Sequence, residues 1–239
     1  MTMTPDHRLH AVIFDFDGIV ADTEKLHYLA FERVLAPKGL SMTWEDYVAQ
    51  CIGFDDRDVL RYRLGGAGEE PDGPTLQELV DRKALAFIEL VQEQGAPIYP
   101  GVWNLVRRLH EAEVPLCVCS GALRSDIDAV LRATGFGHSF ETMVTAEEVR
   151  RSKPDPESYL LALERLREKH ADRDIQPERV IAIEDTPTGI AAARGAGLSV
   201  LGVTNTHPRE ALHQAQWVVE SLEAIGVDGL ARHLTPPCA

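Results

Sequence analysis

The first strong pattern in the chain is the run of four apolar residues Ala11–Phe14, which polar residues follow at once. Its β-branched, unbroken character predicts a strand buried on both faces, as in a parallel sheet. Beyond Gly18 the pattern changes period. Leu26, Leu29, Ala30, Phe31 and Val34 recur at steps of three and four and predict a helix that ends near Pro37 and Gly39. Short helices are predicted over residues 44–50 and 57–64. The Gly/Pro-rich residues 65–74 then read as a connecting loop, without the Gly-Lys-Ser/Thr ending of a nucleotide-binding loop. Leu76, Leu79, Val80, Ala84, Phe87, Ile88 and Val91 predict one long amphipathic helix.

From Pro97 helices and strands alternate. Helices are predicted over residues 102–112, 125–134 and 188–195, and one opens at Asp155-Pro156-Glu157, with Asp155 as cap and Pro156 at its first position. Strands are predicted over residues 115–120, 140–144, 179–184, 198–203 and 217–219. Such alternation predicts an α/β fold, a doubly wound parallel-sheet (Rossmann-like) core with an inserted all-helical cap domain. Residues 1–18 and 96–239 would form the core and residues 19–95 the insert. No internal repeat is visible.

The chain has 239 residues, 44% of them hydrophobic, enough to bury a sizeable core. Its formal charge of −14 argues against a general binder of nucleic acid or anionic membranes, whose phosphates attract basic surfaces. Residues 1–10 carry no apolar stretch of a signal peptide, and no apolar run approaches the roughly 20 residues of a membrane helix. Cys117 and Cys119 alternate on one predicted strand and share a face, while Cys51 and Cys238 have no evident partner. No paired spacing suggests zinc, and the pattern is that of a reduced, cytoplasmic protein. Residues 69–72 read as a solvated acidic loop.

The candidate chemistry lies at strand ends. Asp15 and Asp17 follow the first strand, Ser120 ends the second, Lys153 lies in the loop after the third, and Glu184-Asp185 end the fourth. In an open parallel sheet the carboxyl ends of the strands line the ligand crevice, so these groups converge. Each also has an ordinary reading: Asp17-Gly18 as a turn, Ser120 as a cap, Lys153 as surface, and Glu184-Asp185 as a favourable charge at a helix start. Only their joint occurrence favours a site.

In order and context, four segments resemble the haloacid dehalogenase superfamily in its phosphatase and β-phosphoglucomutase-like branch with a helical cap. They are Asp15-Phe16-Asp17-Gly18 with its continuation to Glu24, Cys119-Ser120-Gly121, Ser152-Lys153-Pro154-Asp155-Pro156, and residues 183–190 around Glu184-Asp185. The resemblance implies that Asp15 is the nucleophile and forms an aspartyl-phosphate. It makes Asp17 the general acid and base, Ser120 and Gly121 binders of phosphoryl oxygens, and Lys153 the neutralising cation. It implies Mg²⁺ held by Asp15 and Asp185, by the Asp17 backbone carbonyl, and with Glu184 as an additional or outer ligand.

Asp17 separates the chain from dehalogenases and phosphonate-cleaving relatives, which lack this acid. Two phosphate-ester reactions remain. His27 and Lys83 match mutase residues of the cap, whereas Gly53-Phe54-Asp55-Asp56-Arg57 and Ser120-Gly121-Ala122-Leu123-Arg124 depart from the mutase pattern. The reading favoured is a phosphatase of a small phosphorylated metabolite. A phosphomutase is the alternative, and a non-catalytic phosphometabolite-binding protein a third. Arg57, Lys83 and Arg124 are expected to contact the non-reacting part of the substrate, and His27, counted with them as substrate-binding, matches a histidine that couples cap closure to the orientation of the acid. A monomer or weak homo-oligomer is expected, with no nucleic-acid or membrane partner. Gly195-Ala196-Gly197 follows a helix rather than a strand, the wrong context for a dinucleotide fingerprint.

Overall fold

A computed structural model describes residues 9–68, 71–137 and 139–234. Cys238, the first eight residues, and Glu69 and Glu70 of the expected acidic loop lie outside the described residues. β1 (Ala11–Phe14) is buried along its whole length. It leads into four helices: α1 (Glu24–Leu35), α2 (Trp44–Gln50), α3 (Asp56–Gly66) and α4 (Gly73–Gln94). Then come α5 (Val102–Glu111), β2 (Leu116–Cys119), α6 (Arg124–Thr134), β3 (Thr142–Val144), α7 (Glu157–Lys169) and β4 (Val180–Glu184). The described chain closes with α8 (Pro187–Gly195), β5 (Ser199–Val203), β6 (Trp217–Val219) and the short α9 (Val227–Ala231), which the periodicity did not predict.

The sheet is six-stranded, in the order β3-β2-β1-β4-β5-β6. Every pairing is parallel. The chain therefore winds outward in both directions from the β1/β4 pair, and the strand order reverses there. A crevice opens at such a switch point because the connections leave to opposite sides. Alternate residues of β1 face opposite layers. Val12 and Phe14 pack with α5 and α6, while Ala11 and Ile13 pack with α7 and α8. Cys117 and Cys119 lie together on the second face, free and buried, as their alternation predicts.

The helical insert has its own core of Phe31, Leu35, Tyr47, Leu60, Leu64, Leu79 and Val80. Its base is continuous with the sheet layer, because Leu26 and Ala30 of α1 and Phe87 and Leu90 of α4 pack in the cluster that holds Phe14 and Leu105. Two short connectors join the parts. Asp22 N–H donates to the Pro97 carbonyl at 2.8 Å, and Tyr99 N–H donates to the Val20 carbonyl at 3.1 Å. No helix among the described residues is long and apolar enough to cross a membrane.

Two helix starts differ from the periodic reading. α4 begins at Gly73, inside the expected loop, because the Asp72 carboxylate accepts the Thr75 N–H at 2.8 Å. Asp72 is thus a helix cap rather than a merely solvated charge. α7 begins at Glu157 with Pro156 in the capping position, although the Asp155 carboxylate receives the Glu157 N–H at 3.0 Å.

Candidate active site

At the switch point β1 and β4 run side by side, and the Asp15 N–H donates to the Ile183 carbonyl at 3.0 Å. The last ladder step thus fixes Asp15 beside Glu184 and Asp185. The chain then turns on the Phe16 carbonyl, which accepts from the N–H groups of Ile19, Val20 and Ala21. Gly18 makes this turn possible. Its φ is +80°, and a Cβ there would stand 2.0 Å from Asp185 Oδ2. The turn directs Asp17 back towards the cleft.

Lys153 unites the strand ends. Its ammonium donates to Asp15 Oδ1 at 2.6 Å, Glu184 Oε1 at 2.7 Å and the Cys119 carbonyl at 3.1 Å. Its three donors are thereby used on β1, β4 and β2. Glu184 is fully buried and accepts further bonds from Tyr159 Oη, Thr186 Oγ1 and the Asp185 and Thr186 N–H groups. Its carboxylate rests against the first turn of α8, where the helix dipole favours an anion. Gly189 leaves room for it, since a Cβ there would lie 1.9 Å from Glu184 Oε1.

Asp17 is held by three side chains. Thr23 Oγ1 donates to Oδ1 at 2.5 Å, His27 Nε2 lies 3.0 Å from the same atom, and Ser120 Oγ donates to Oδ2 at 3.3 Å. Burial pushes this carboxyl up, but His27, Thr23 and the charge on Lys83 together hold it below the ordinary carboxylate value. Asp15 and Asp185 go the other way. Burial raises both well above the usual range, and neighbouring carboxylates add to it, against the pull of Lys153 on Asp15 and of Thr206 on Asp185.

Asp15, Glu184 and Asp185 each offer an oxygen within 4.8 Å of the others. Asp185 Oδ2 accepts from Thr206 Oγ1 at 2.6 Å, but its buried Oδ1 has no partner among the described residues. An all-oxygen set with one orphaned carboxylate oxygen fits a hard divalent cation. Both Glu184 oxygens are already filled by donors.

One cleft is lined by Asp15, Asp17, Ser120, Gly121 and Lys153 from the core and by His27 from the insert. The other residues expected at the substrate lie elsewhere. Lys83 is fully buried, donating to Asp126 at 3.1 Å and His27 Nδ1 at 2.7 Å and pairing with Asp56 at 2.8 Å. With three donors spent on three acceptors, it has none for a ligand, so the expected substrate contact is corrected. Arg57 and Arg124 do not line the cleft. Arg57 is half-buried on α3, and Arg124 is exposed on α6, facing Asp128 at 3.4 Å.

Thr23, Tyr159, Asp126, Asn205 and Thr206 escaped the sequence reading. Thr206 and Asn205, whose amide donates to the Gly18 carbonyl at 2.6 Å, follow β5, so their position past a strand end was a usable signal. Asp126 carried none, because a helical Asp becomes an ion-pair partner only through the fold.

The family model of haloacid dehalogenase-like hydrolases matches residues 12–203. Protein CbbY of Cereibacter sphaeroides is 31% identical over 97% of this chain and 100% of its own length. A phosphorylated carbohydrates phosphatase of Thermotoga maritima is 30% identical over 83% of this chain and 87% of its own. The structure of a CbbY mutant from Rhodobacter sphaeroides in complex with xylulose-(1,5)bisphosphate superposes with a TM-score of 0.83 at 27% identity, covering 93% of this chain and 99% of that one. The fold, the strand-end carboxylates and a match across most of the chain agree: this protein belongs to the haloacid dehalogenase-like hydrolases.

Proposed function

We propose that the chain is a Mg²⁺-dependent phosphatase of a small phosphorylated metabolite of the sugar-phosphate kind, acting through an aspartyl-phosphate on Asp15. The observation that carries this reading is the Lys153 ammonium between Asp15 Oδ1 and Glu184 Oε1, beside Asp17 and Ser120 in one cleft. The relatives support it, one being named for phosphorylated carbohydrates and another solved with a sugar bisphosphate.

In the first step an Asp15 carboxylate oxygen bonds to phosphorus while the ester P–O bond breaks, and the leaving oxygen takes a proton from Asp17. In the second, water attacks the phosphoryl group, gives its proton to the Asp17 carboxylate, and frees Asp15 with inorganic phosphate. The bonds from Thr23 and His27 favour the ionised Asp17 that the second step needs. A bound phosphate dianion raises its pKa and favours the acid that the first step needs. Lys153 offsets negative charge on Asp15 and the transferring group, while Ser120 and the Gly121 backbone bind phosphoryl oxygens.

Asp15, Asp185 and the Asp17 backbone carbonyl would hold Mg²⁺, with Glu184 as an outer group that fixes Lys153. The ion, when bound, relieves carboxylate–phosphate repulsion. Residues 19–95 would act as a cap that closes the cleft against bulk water, and residues 1–18 and 96–239 as the catalytic core. The net charge of −14 and the unpaired, buried Cys51, Cys117 and Cys119 support a cytoplasmic enzyme of small molecules.

Phosphorus NMR with Mg²⁺ and a panel of phosphate esters tests the reading. Inorganic phosphate should appear and should be lost in Asp15→Asn and after chelation. An isomerised sugar phosphate without free phosphate would make the chain a mutase instead.

A further inference from the structure

The half of the cleft contributed by the helical insert is acidic. It presents Glu24, Asp55 and Asp56 beside Tyr47 and Phe54, and among the described lining residues Lys153 alone is a lysine or arginine. Lys153 is already engaged with Asp15 and Glu184 at the reacting end. Lys83 of the insert is fully buried with all three donors used. A second phosphate or a carboxylate on the substrate would therefore meet carboxylates with no free lysine or arginine among the described lining residues to oppose them.

Asp56 adds a second observation. It is 8% exposed and lines the cleft. Its Oδ1 pairs with Lys83 at 2.8 Å, but its Oδ2 is buried with no hydrogen-bond partner among the described residues. Glu24 differs, because the Tyr47 hydroxyl already donates to it at 2.7 Å. A buried carboxylate oxygen without a donor is costly, and a ligand donor at that point removes the cost.

We propose that Asp56 is a specificity residue whose Oδ2 accepts a hydrogen bond from a hydroxyl or ammonium group on the remote half of the substrate. The enzyme then selects monophosphates of polyols, sugars or amino alcohols and discriminates against esters that carry a second anion. This rests on the phosphatase reading and narrows it. The substrate class differs from the bisphosphate found with the CbbY relative.

The test is kcat/KM for phosphate release by the Mg²⁺-loaded enzyme on matched esters. Glycerol 3-phosphate is set against 3-phosphoglycerate, ribose 5-phosphate against ribose 1,5-bisphosphate, and 3-aminopropyl phosphate supplies the ammonium arm. The ester with only hydroxyl or ammonium groups should win each comparison by about tenfold or more, the scale of a hydrogen bond to a charged group. Asp56→Asn keeps the shape and removes the charge, so the preference should shrink towards unity. Asp55→Asn keeps the helix cap that Asp55 provides to the Asp58 N–H and should shrink it less.

Equal or faster turnover of the anionic partners by wild-type enzyme overturns the proposal, whether or not the variants fold. A uniform loss on every ester in Asp56→Asn, with the ratios unchanged, assigns Asp56 only to balancing Lys83 and also overturns it. Release from no ester at all removes the phosphatase reading, and the inference with it.

Discussion

Lys153 in the core and Lys83 in the insert look alike as isolated side chains. Lys83 is buried and Lys153 largely so, each donates to three acceptors, and each lies among carboxylates that outweigh desolvation and raise its pKa. Their surroundings differ. Lys153 borders the cleft, and one of its partners is the expected nucleophile. Lys83 has no solvent contact, and its partners Asp56, Asp126 and His27 come from α3, α6 and α1. The first cation is poised to meet charge that arrives with a ligand. The second neutralises charge that the fold has buried, and joins the insert to the core. The two ammonium groups therefore differ in whether their acceptors are all permanent or include the proposed nucleophile.

Replacing each lysine by Met sharpens or breaks that distinction. Lys153→Met should reduce phosphate release by about 10²–10³-fold, the usual scale for losing a preorganised charge aimed at a transition state. Lys83→Met leaves Asp56 and Asp126 buried without their cation and should cost about 3–5 kcal/mol of stability, read as a lowered denaturation midpoint. The activity of its folded fraction should fall far less than in Lys153→Met. Equal stability losses with equal activity losses would erase the contrast.

A smaller effect probes the support of Lys153. In Gly189→Ala the new Cβ would press on Glu184, whose carboxylate holds the ammonium at 2.7 Å. Displacement of the charge by a fraction of an ångström should lower kcat by roughly tenfold to 100-fold with little change in KM. Unaltered kinetics would mean that Glu184 does not set the position of Lys153. The smallest effect belongs to Arg124→Ala. This exposed side chain faces Asp128 across one helical turn, and such pairs contribute under about 0.5 kcal/mol. Stability and kinetics should both match wild type, whereas a raised KM would return Arg124 to the substrate.

The legible and illegible parts of the site follow the same division. Asp15, Ser120 and Asp185 each sit just past a strand and Lys153 lies in the loop that follows β3, and parallel strands bring their ends to one edge whatever the lengths between them. The role expected of Lys83 came from its match to a mutase residue of the cap, and that of Arg57 from its place in the cap loop. Position on a helix does not say which way a long side chain runs. For Lys83 the answer depended on Asp126, 43 residues away, whose buried carboxylate draws the ammonium inward.

From the sequence alone came the strand Ala11–Phe14, the five helices between the first and second strands, the parallel α/β core and the edge that carries the candidate site, because these depend on period and order along the chain. The tertiary structure alone decided that both Glu184 oxygens are filled, that Lys83 is spent inside the protein and that Asp56 keeps one oxygen without a donor among the described residues. Hydrogen-bond saturation is counted among groups that meet only after folding, and no local pattern encodes it.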